Sequence, residues 1–321
     1  MPAQSKQSHK TNMHPKKANA VRIIGLNMNG ANKDGTKLND ILRLLGLLKW
    51  DILCLQETHL LMSADHAALA IRIGGKHAQY SFTNGLNSRD GILTVCRGGS
   101  GLWIDSSTKY FDNKKQGGWL KTVMRGEFGR FELLNTYLPS VPKSRIEFLE
   151  TQMPEMGVDA VVLGDMNVTL DPLLDRYNME TEGGEGALEL AWYCAENDLS
   201  DQFRDKHPDR CETSYYPSPE RKKGTLIDRV FTSDSLNSVC AVSEIHDLGL
   251  DSPDHKCTIT DLLLNDLTLC TPKFVWNNRL LRHSGYKEKM EDMSNEAKVK
   301  FSVSVDKGLV LGELIDDITE L

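Results

Sequence analysis

Residues 21–57 read VRIIGLNMNGANKDGTKLNDILRLLGLLKWDILCLQE, and the fold is decided there. Val21 to Leu26 is a short apolar run, which reads as a strand. Leu38, Ile41, Leu42 and Leu45 then recur at helical spacing over Leu38 to Leu48, and Asp51 to Leu55 returns to a buried strand. The order makes a βαβ opening. Each apolar run stops on polar residues: Asn27 and Asn29 after the first, Gln56-Glu57-Thr58-His59 after the second.

Downstream, Ala64 to Ile73 reads as a helix. Strand-like runs follow at Gln79–Thr83, Ile92–Cys96, Gly101–Ile104, Leu120–Met124 and Phe131–Tyr137, separated by turns such as Gly98-Gly99 and Gly117-Gly118. Such close spacing predicts antiparallel pairing. Ser144–Met153 and Ala187–Asn197 read as helices; Ala160–Leu163, Ser214–Tyr216, Leu226–Phe231, Val239–Ile245 and Lys256–Leu264 read as strands, the last alternating Cys257, Ile259, Asp261 and Leu263. Strands too apolar to face water, with helices outside, predict a four-layered α/β sandwich, two packed mixed β-sheets flanked by helices. The expected organisation is a disordered basic arm over 1–20, a domain over 21–264, and a linker with a helical extension over 265–321. In the last segment Leu311, Leu314, Ile315 and Ile318 share one helical face, as where a longer protein continues into a further domain or, alternatively, where the helix folds back on the sandwich.

Composition excludes several classes. The chain has 321 residues, 40% hydrophobic and 26% charged, ordinary values for a globular protein. Seven scattered cysteines without a CxxC pair argue against a disulfide framework and a zinc ribbon. No apolar run approaches the roughly 18 residues of a membrane span, and no secretory signal is visible, so no membrane partner is expected and the compartment is cytosolic or nuclear. The net charge of −7 counts only weakly against a nucleic-acid partner. Lys6, Lys10, Lys16 and Lys17 stand in an acid-free start, Arg221-Lys222-Lys223 cluster at an expected hairpin tip, and acids gathered around a cation lower the formal charge.

Three further polar clusters, Asp165-Met166-Asn167, Asp228 and Asp254-His255, stand where strands begin or end. Any one of them alone is unspecific, because such residues satisfy backbone donors wherever strands turn into loops. Together, and in one order, they predict a site assembled from several loops. Phosphate-ester hydrolysis gives each a task. A hard cation such as Mg²⁺, with Mn²⁺ as a substitute, takes carboxylate and amide oxygens; Glu57 is the first candidate, with Asn27 and Asp254. Asp165 would take the proton of the attacking water, with Asn167 two residues on pointing the same way in extended chain. His255 would donate to a non-bridging oxygen, oriented by the Asp228 carboxylate. Tyr137 either donates to the phosphate or the leaving oxygen, or packs as a half-buried strand-end residue.

The order LNMNG, QETH, NTYLP, GDMN, TLIDR and SPDH, spanning about 21–264, resembles the endonuclease/exonuclease/phosphatase superfamily, which includes DNase I, exonuclease III and the abasic-site endonucleases. Within it the chain is most similar to the endonuclease domain of LINE-type, non-LTR retrotransposons: LNMNG with QETH, Leu170 to Arg176 ending in Leu-Asp-Arg, and Glu212-Thr213-Ser214-Tyr215 ahead of TLIDR. The resemblance implies catalytic positions at Asn27, Glu57, Tyr137, Asp165, Asn167, Asp228, Asp254 and His255. It also implies Mg²⁺-dependent nicking of double-stranded target DNA. The resulting 3' hydroxyl would prime a covalently attached reverse transcriptase domain, in the nucleus after synthesis in the cytoplasm. Thr213 matches a threonine near the DNA. The loop Pro217 to Gly224, with Arg221, Lys222 and Lys223, is the candidate for target choice or, alternatively, a solvated tip. Asn29 is assigned to the DNA-binding side, and stands where abasic-site enzymes carry an acid. Pro253 replaces a small hydroxyl residue and Met166 an aromatic or leucine. A repair endonuclease, a deadenylase or a lipid or inositol phosphodiesterase of the superfamily would share this core.

Overall fold

The structure is a computed structural model that describes residues 15–31, 35–84, 90–112, 117–178, 184–218, 220, 222–249 and 254–264. Its elements are β1 (Val21–Asn27), α1 (Gly35–Leu47), β2 (Ile52–Gln56), α2 (Ser63–Gly74), β3 (Gln79–Thr83), β4 (Ile92–Cys96), β5 (Trp103–Asp112), β6 (Gly117–Gly126), β7 (Gly129–Tyr137) and α3 (Pro142–Thr151). There follow β8 (Ala160–Asp165), β9 (Arg176–Tyr177), α4 (Ala187–Glu196), β10 (Leu199–Asp201), α5 (Gln202–Lys206), β11 (Gly224–Thr225), β12 (Asp228–Ser233), α6 (Asp234–Asn237), β13 (Cys240–His246) and β14 (Cys257–Leu262).

Six strands form one sheet in the order β13-β14-β1-β2-β4-β3, and six form a second in the order β10-β12-β8-β7-β6-β5. Each sheet is mixed for the same reason: a helix carries the chain back between two neighbouring parallel strands, α1 between β1 and β2, α3 between β7 and β8. Period-two alternation sorts the side chains into layers. Ile24, Leu26, Leu53 and Leu55 face Ile41 and Leu45 of α1, Leu48 just beyond it, and Leu69 and Ala70 of α2. Ile23, Ile52 and Cys54 face the second sheet, meeting Met124, Leu133, Val161, Leu163 and Val230. On the far side, Leu134, Ala160 and Val162 pack on Phe148 and Leu149 of α3 and Leu190 and Tyr193 of α4. The expected four layers are all present.

β14 is buried on both faces. Asp261 sits inside it because Arg22, its register partner on β1, donates Nε and Nη2 to its carboxylate at 2.6 and 2.7 Å. A buried charge is tolerated only when paired in this way. Cys54, Cys96, Cys194, Cys240 and Cys257 are free and buried, while Cys211 is free and exposed.

Several boundaries differ from the sequence reading. The strand expected at Gly101–Ile104 runs instead over Trp103–Asp112, an exposed edge whose polar residues hide its length from a hydrophobic pattern. Ser214–Tyr216 forms no ladder of its own, only isolated bridges from Tyr215 to Thr225 and to His255. The short elements β9, β10, β11, α5 and α6 carry too few residues for a periodic signal. Within the expected arm, Lys16 pairs with Asp51 and the Lys17 amide donates to Asp261. Pro253, Arg221, Cys270, residues 1–14 and the expected helix at 309–321 lie outside the described residues.

Register places the polar clusters together. Asn27 pairs with Gln56 at the ends of β1 and β2, Tyr137 with Asp165 at the ends of β7 and β8, and Asp228 with that same Asp165. His255 stands two residues ahead of β14, whose Thr258 faces Gly25 of β1. Both sheets thus deliver their strand ends to one rim.

Candidate active site

Asn27, fully buried, joins the two halves of the site. Its Nδ2 donates to Glu57 Oε1 at 2.8 Å and to Asp165 Oδ2 at 2.9 Å, and its Oδ1 accepts the Asn29 amide at 2.9 Å. Asp165 Oδ1 accepts the Asn167 amide at 2.8 Å. His255 Nδ1 lies 2.9 Å from Asp228 Oδ2, and its Nε2 lies 3.9 Å from Asp165 Oδ2. An imidazole thus stands between two acids, 5% exposed against 2% and 4%. On the far side of Asn27, Glu57 is held by His59 Nε2 at 3.3 Å and by the Tyr137 hydroxyl. Asn29 Nδ2 donates to Asp254 Oδ2 at 2.8 Å.

The loops that carry these groups are in uncommon conformations. Asn29, Glu57, His59 and Asn167 all have positive φ, between 46° and 55°. Left-handed backbone at a residue such as Glu57 costs about 1–2 kcal/mol. Gly30 permits the arrangement, since a Cβ there would meet His59 Nδ1 at 2.6 Å. Asn167 departs from expectation for the same reason. Its backbone is left-handed rather than extended, so its backbone N–H meets the Asp165 carboxylate while the side-chain Nδ2 donates to Leu138 O at 2.8 Å.

Electrostatics follow from burial and neighbours. Asp165 is pushed up to about 7, first by burial and then by the charge of Asp228, against the opposing pull of His255. Burial would depress His255, but the charge and hydrogen bond of Asp228, helped by Asp165 and Asp254, carry it up to about 10. Glu57 is held below its ordinary range: bonds from His59, Asn27 and Tyr137 outweigh the burial that acts to raise it, and His255 adds its charge. Tyr137 is raised by burial and then by Glu57 and Asp165, so it stays a protonated donor.

The donor set suits a hard cation. It offers carboxylate oxygens of Glu57 and Asp254 and the amide oxygen of Asn27, and Asp254 Oδ1 is buried with no partner among the described residues. Asp228 Oδ1 is in the same state. Asp165, Asp228 and His255 also present ligand atoms within 4.8 Å of one another. The His255–Asp228 hydrogen bond engages one oxygen of that trio.

The expected DNA-side residues are spread differently. Thr213 is buried and its hydroxyl donates to Tyr216 Oη at 2.8 Å, which makes it a strut of the loop. Lys222 and Lys223 are exposed, Lys222 beside Glu220 at 2.6 Å.

Four contributors had no role assigned from the sequence. His59 braces Glu57, and its place two residues after that candidate ligand was a usable signal. Ser214 Oγ accepts the amides of Ile227 and Asp228, at 3.1 and 2.9 Å. Gln56 Nε2 donates to Asn135 Oδ1 at 2.6 Å, a bridge between the sheets directly beneath Glu57 and Tyr137. Tyr215 lays its ring 4.7 Å from that of His255. The partners of the last three lie far along the chain and follow no periodicity, so pattern could not reveal them. Behind Asp228, Arg229 pairs with Asp175 and Asp201, and Arg204 also reaches Asp175, anchoring the Leu-Asp-Arg segment to β12.

The sequence matches the Endonuclease/Exonuclease/phosphatase family over residues 24–261. Among solved structures, an AP endonuclease from Archaeoglobus fulgidus superposes with a TM-score of 0.60 at 20% identity, covering 75% of this chain and 99% of that one. The 3'-5' exonuclease NExo from Neisseria meningitidis gives 0.59 at 20%, covering 75% and 99%. The endonuclease domain of TRAS1, a telomere-specific non-LTR retrotransposon, gives 0.52 at 11%, covering 77% and 99%. At these identities the likeness is one of fold. No curated protein matches the chain. No helix among the described residues is long and apolar enough to cross a membrane.

Proposed function

The chain belongs to the Endonuclease/Exonuclease/phosphatase family, and on that premise we propose that it is a metal-dependent endodeoxyribonuclease. It nicks one strand of double-stranded DNA in the nucleus and leaves a 3' hydroxyl that primes a covalently attached reverse transcriptase domain. The observation that carries the hydrolytic reading is the line Asp165–His255–Asp228, joined through Asn27 to Glu57.

Asp165, made more basic by burial and by Asp228, accepts the proton of a water on the far side of the phosphorus. Asn27 and Asn167 fix its two oxygens, which aims the acceptor. His255, charged and pinned at Nδ1 by Asp228, offers Nε2–H to a non-bridging oxygen as negative charge develops. Tyr137 keeps its proton and supports Glu57. Glu57 and Asp254, with Asn27 Oδ1, would hold a divalent cation, Mg²⁺ or Mn²⁺, which neutralises charge on the phosphoryl group and favours departure of the 3' oxygen.

The retrotransposon assignment is supported by the residue pattern, LNMNG with QETH and Leu-Asp-Arg after GDMN. Supercoiled plasmid incubated with Mg²⁺ should convert to the nicked circle with ends a polymerase can extend, and EDTA or Asp165→Ala should abolish conversion. Nicking that survives Asp165→Ala removes the base. A large preference for an abasic oligonucleotide, a poly(A) tail or a lipid phosphodiester over plasmid would replace the substrate by that of another member of the superfamily.

A further inference from the structure

Asp228 holds His255 at a single nitrogen, and a ring held by one hydrogen bond can still turn about that bond. Turning would swing Nε2 away from Asp165 and from any phosphate beside it. Tyr215 supplies the missing restraint. Its ring centroid lies 4.7 Å from the imidazole centroid at an interplanar angle of 41°, within contact range for aromatic pairs. The backbones are locked as well. Tyr215 and His255 form an antiparallel bridge, flanked by Tyr216 N–H to Asp254 O at 2.8 Å and Lys256 N–H to Ser214 O at 2.7 Å.

Tyr215 does not have the surroundings of a core residue. It is half-buried, and its phenol is raised first by burial and then by the charges of Asp254, Asp165 and Glu57. On its other edge it exchanges both backbone hydrogen bonds with Thr225 of β11, at 2.9 and 3.0 Å, and β11 pairs with Arg176 and Tyr177 of β9. Backbone hydrogen bonds and bridges therefore run from Arg176 of the Leu-Asp-Arg segment through β11 and Tyr215 to His255.

We infer that Tyr215 is a positioning residue that fixes the plane of the His255 imidazole and ties it to the β9–β11 ladder. The inference rests on the role proposed above for His255. If the ring is what matters, the hydroxyl should be dispensable and the aromatic face should not.

A double-mutant cycle on plasmid nicking under single-turnover conditions tests this. Tyr215→Leu should lower kcat about tenfold to a hundredfold with KM within about threefold, and Tyr215→Phe should restore kcat to within about threefold of wild type. In a His255→Gln background, Tyr215→Leu should cost no more than about threefold, because the ring it positions is gone. Equal losses with and without His255 overturn the inference, as does a rise in KM at constant kcat, which would make Tyr215 a DNA contact. Should Tyr215→Leu fail to fold, Tyr215→Met takes its place under the same criteria. Absence of nicking by the wild type, or wild-type rates from His255→Gln, would refute the proposed function instead.

Discussion

Replacing Asp228 by asparagine removes a charge while keeping the volume, and its consequences can be worked from two distances. His255 lies 2.9 Å from Asp228 and 3.9 Å from Asp165. At an effective dielectric constant of about 20 these correspond to gross attractions of about 6 and 4 kcal/mol, so the substitution strips the imidazolium of the larger of two supports. Breaking a buried pair by deleting one partner costs about 3–5 kcal/mol, because the remaining charge has lost its compensation. If about 3 kcal/mol of that support acts on the transition state, kcat should fall about a hundredfold, with KM within about threefold since Asp228 is buried behind His255. The assay is single-turnover nicking of plasmid, paired with a thermal melt in which a loss of about 3 kcal/mol lowers Tm by roughly 6–12 °C. A folded Asp228→Asn protein that nicks within fivefold of wild type would refute the assignment of Asp228 as the carboxylate behind His255.

Gly164→Ala should be among the most damaging single changes: φ is 146°, and a Cβ would stand 1.8 Å from the Thr136 carbonyl oxygen. The two strands must part beside Asp165, so a melt should show a loss of about 3 kcal/mol or more, and a Tm unchanged within 2 °C would contradict the geometry. Glu57→Gln should raise the Mg²⁺ concentration for half-maximal nicking more than about tenfold; an unchanged midpoint excludes Glu57 as a ligand. Alanine at Arg221, Lys222 and Lys223 together should weaken DNA binding and flatten the log K against log salt slope by up to about 0.9 per lost phosphate contact, whereas an unaltered slope removes the loop from the interface. His66 gives a pH prediction. Burial lowers its folded pKa below 6.5, so the unfolded chain binds the proton more readily, and stability present above pH 6.5 is lost as pH falls toward the folded value. His66→Gln should flatten Tm between pH 7.5 and pH 5; a parallel decline in both proteins would show that other groups are responsible.

Composition and pattern sufficed for the layered fold, because strands such as Val21–Asn27 and Ala160–Asp165 are dominated by apolar residues, are buried on both faces and have no stable place except between layers. The gathering of Asn27, Glu57, Asp165, Asp228 and His255 was legible for a related reason: each is polar beside the start or the end of an apolar strand, and strands whose termini share one rim bring such residues together. Pattern does not carry register or backbone hand. Whether Asn27 would bridge Glu57 to Asp165, whether Asn167 would turn left-handed toward Leu138, and whether Thr213 would face DNA or brace Tyr216 depended on hydrogen bonds between residues distant in the chain. The same holds for Tyr215, whose two-residue segment has no periodicity and acquires its neighbours only when β11 and β14 close around it. Burial preference is a local property of each residue and is written along the chain, whereas a hydrogen-bond partner is fixed only when the sheets pack and the backbone takes up its final dihedral angles.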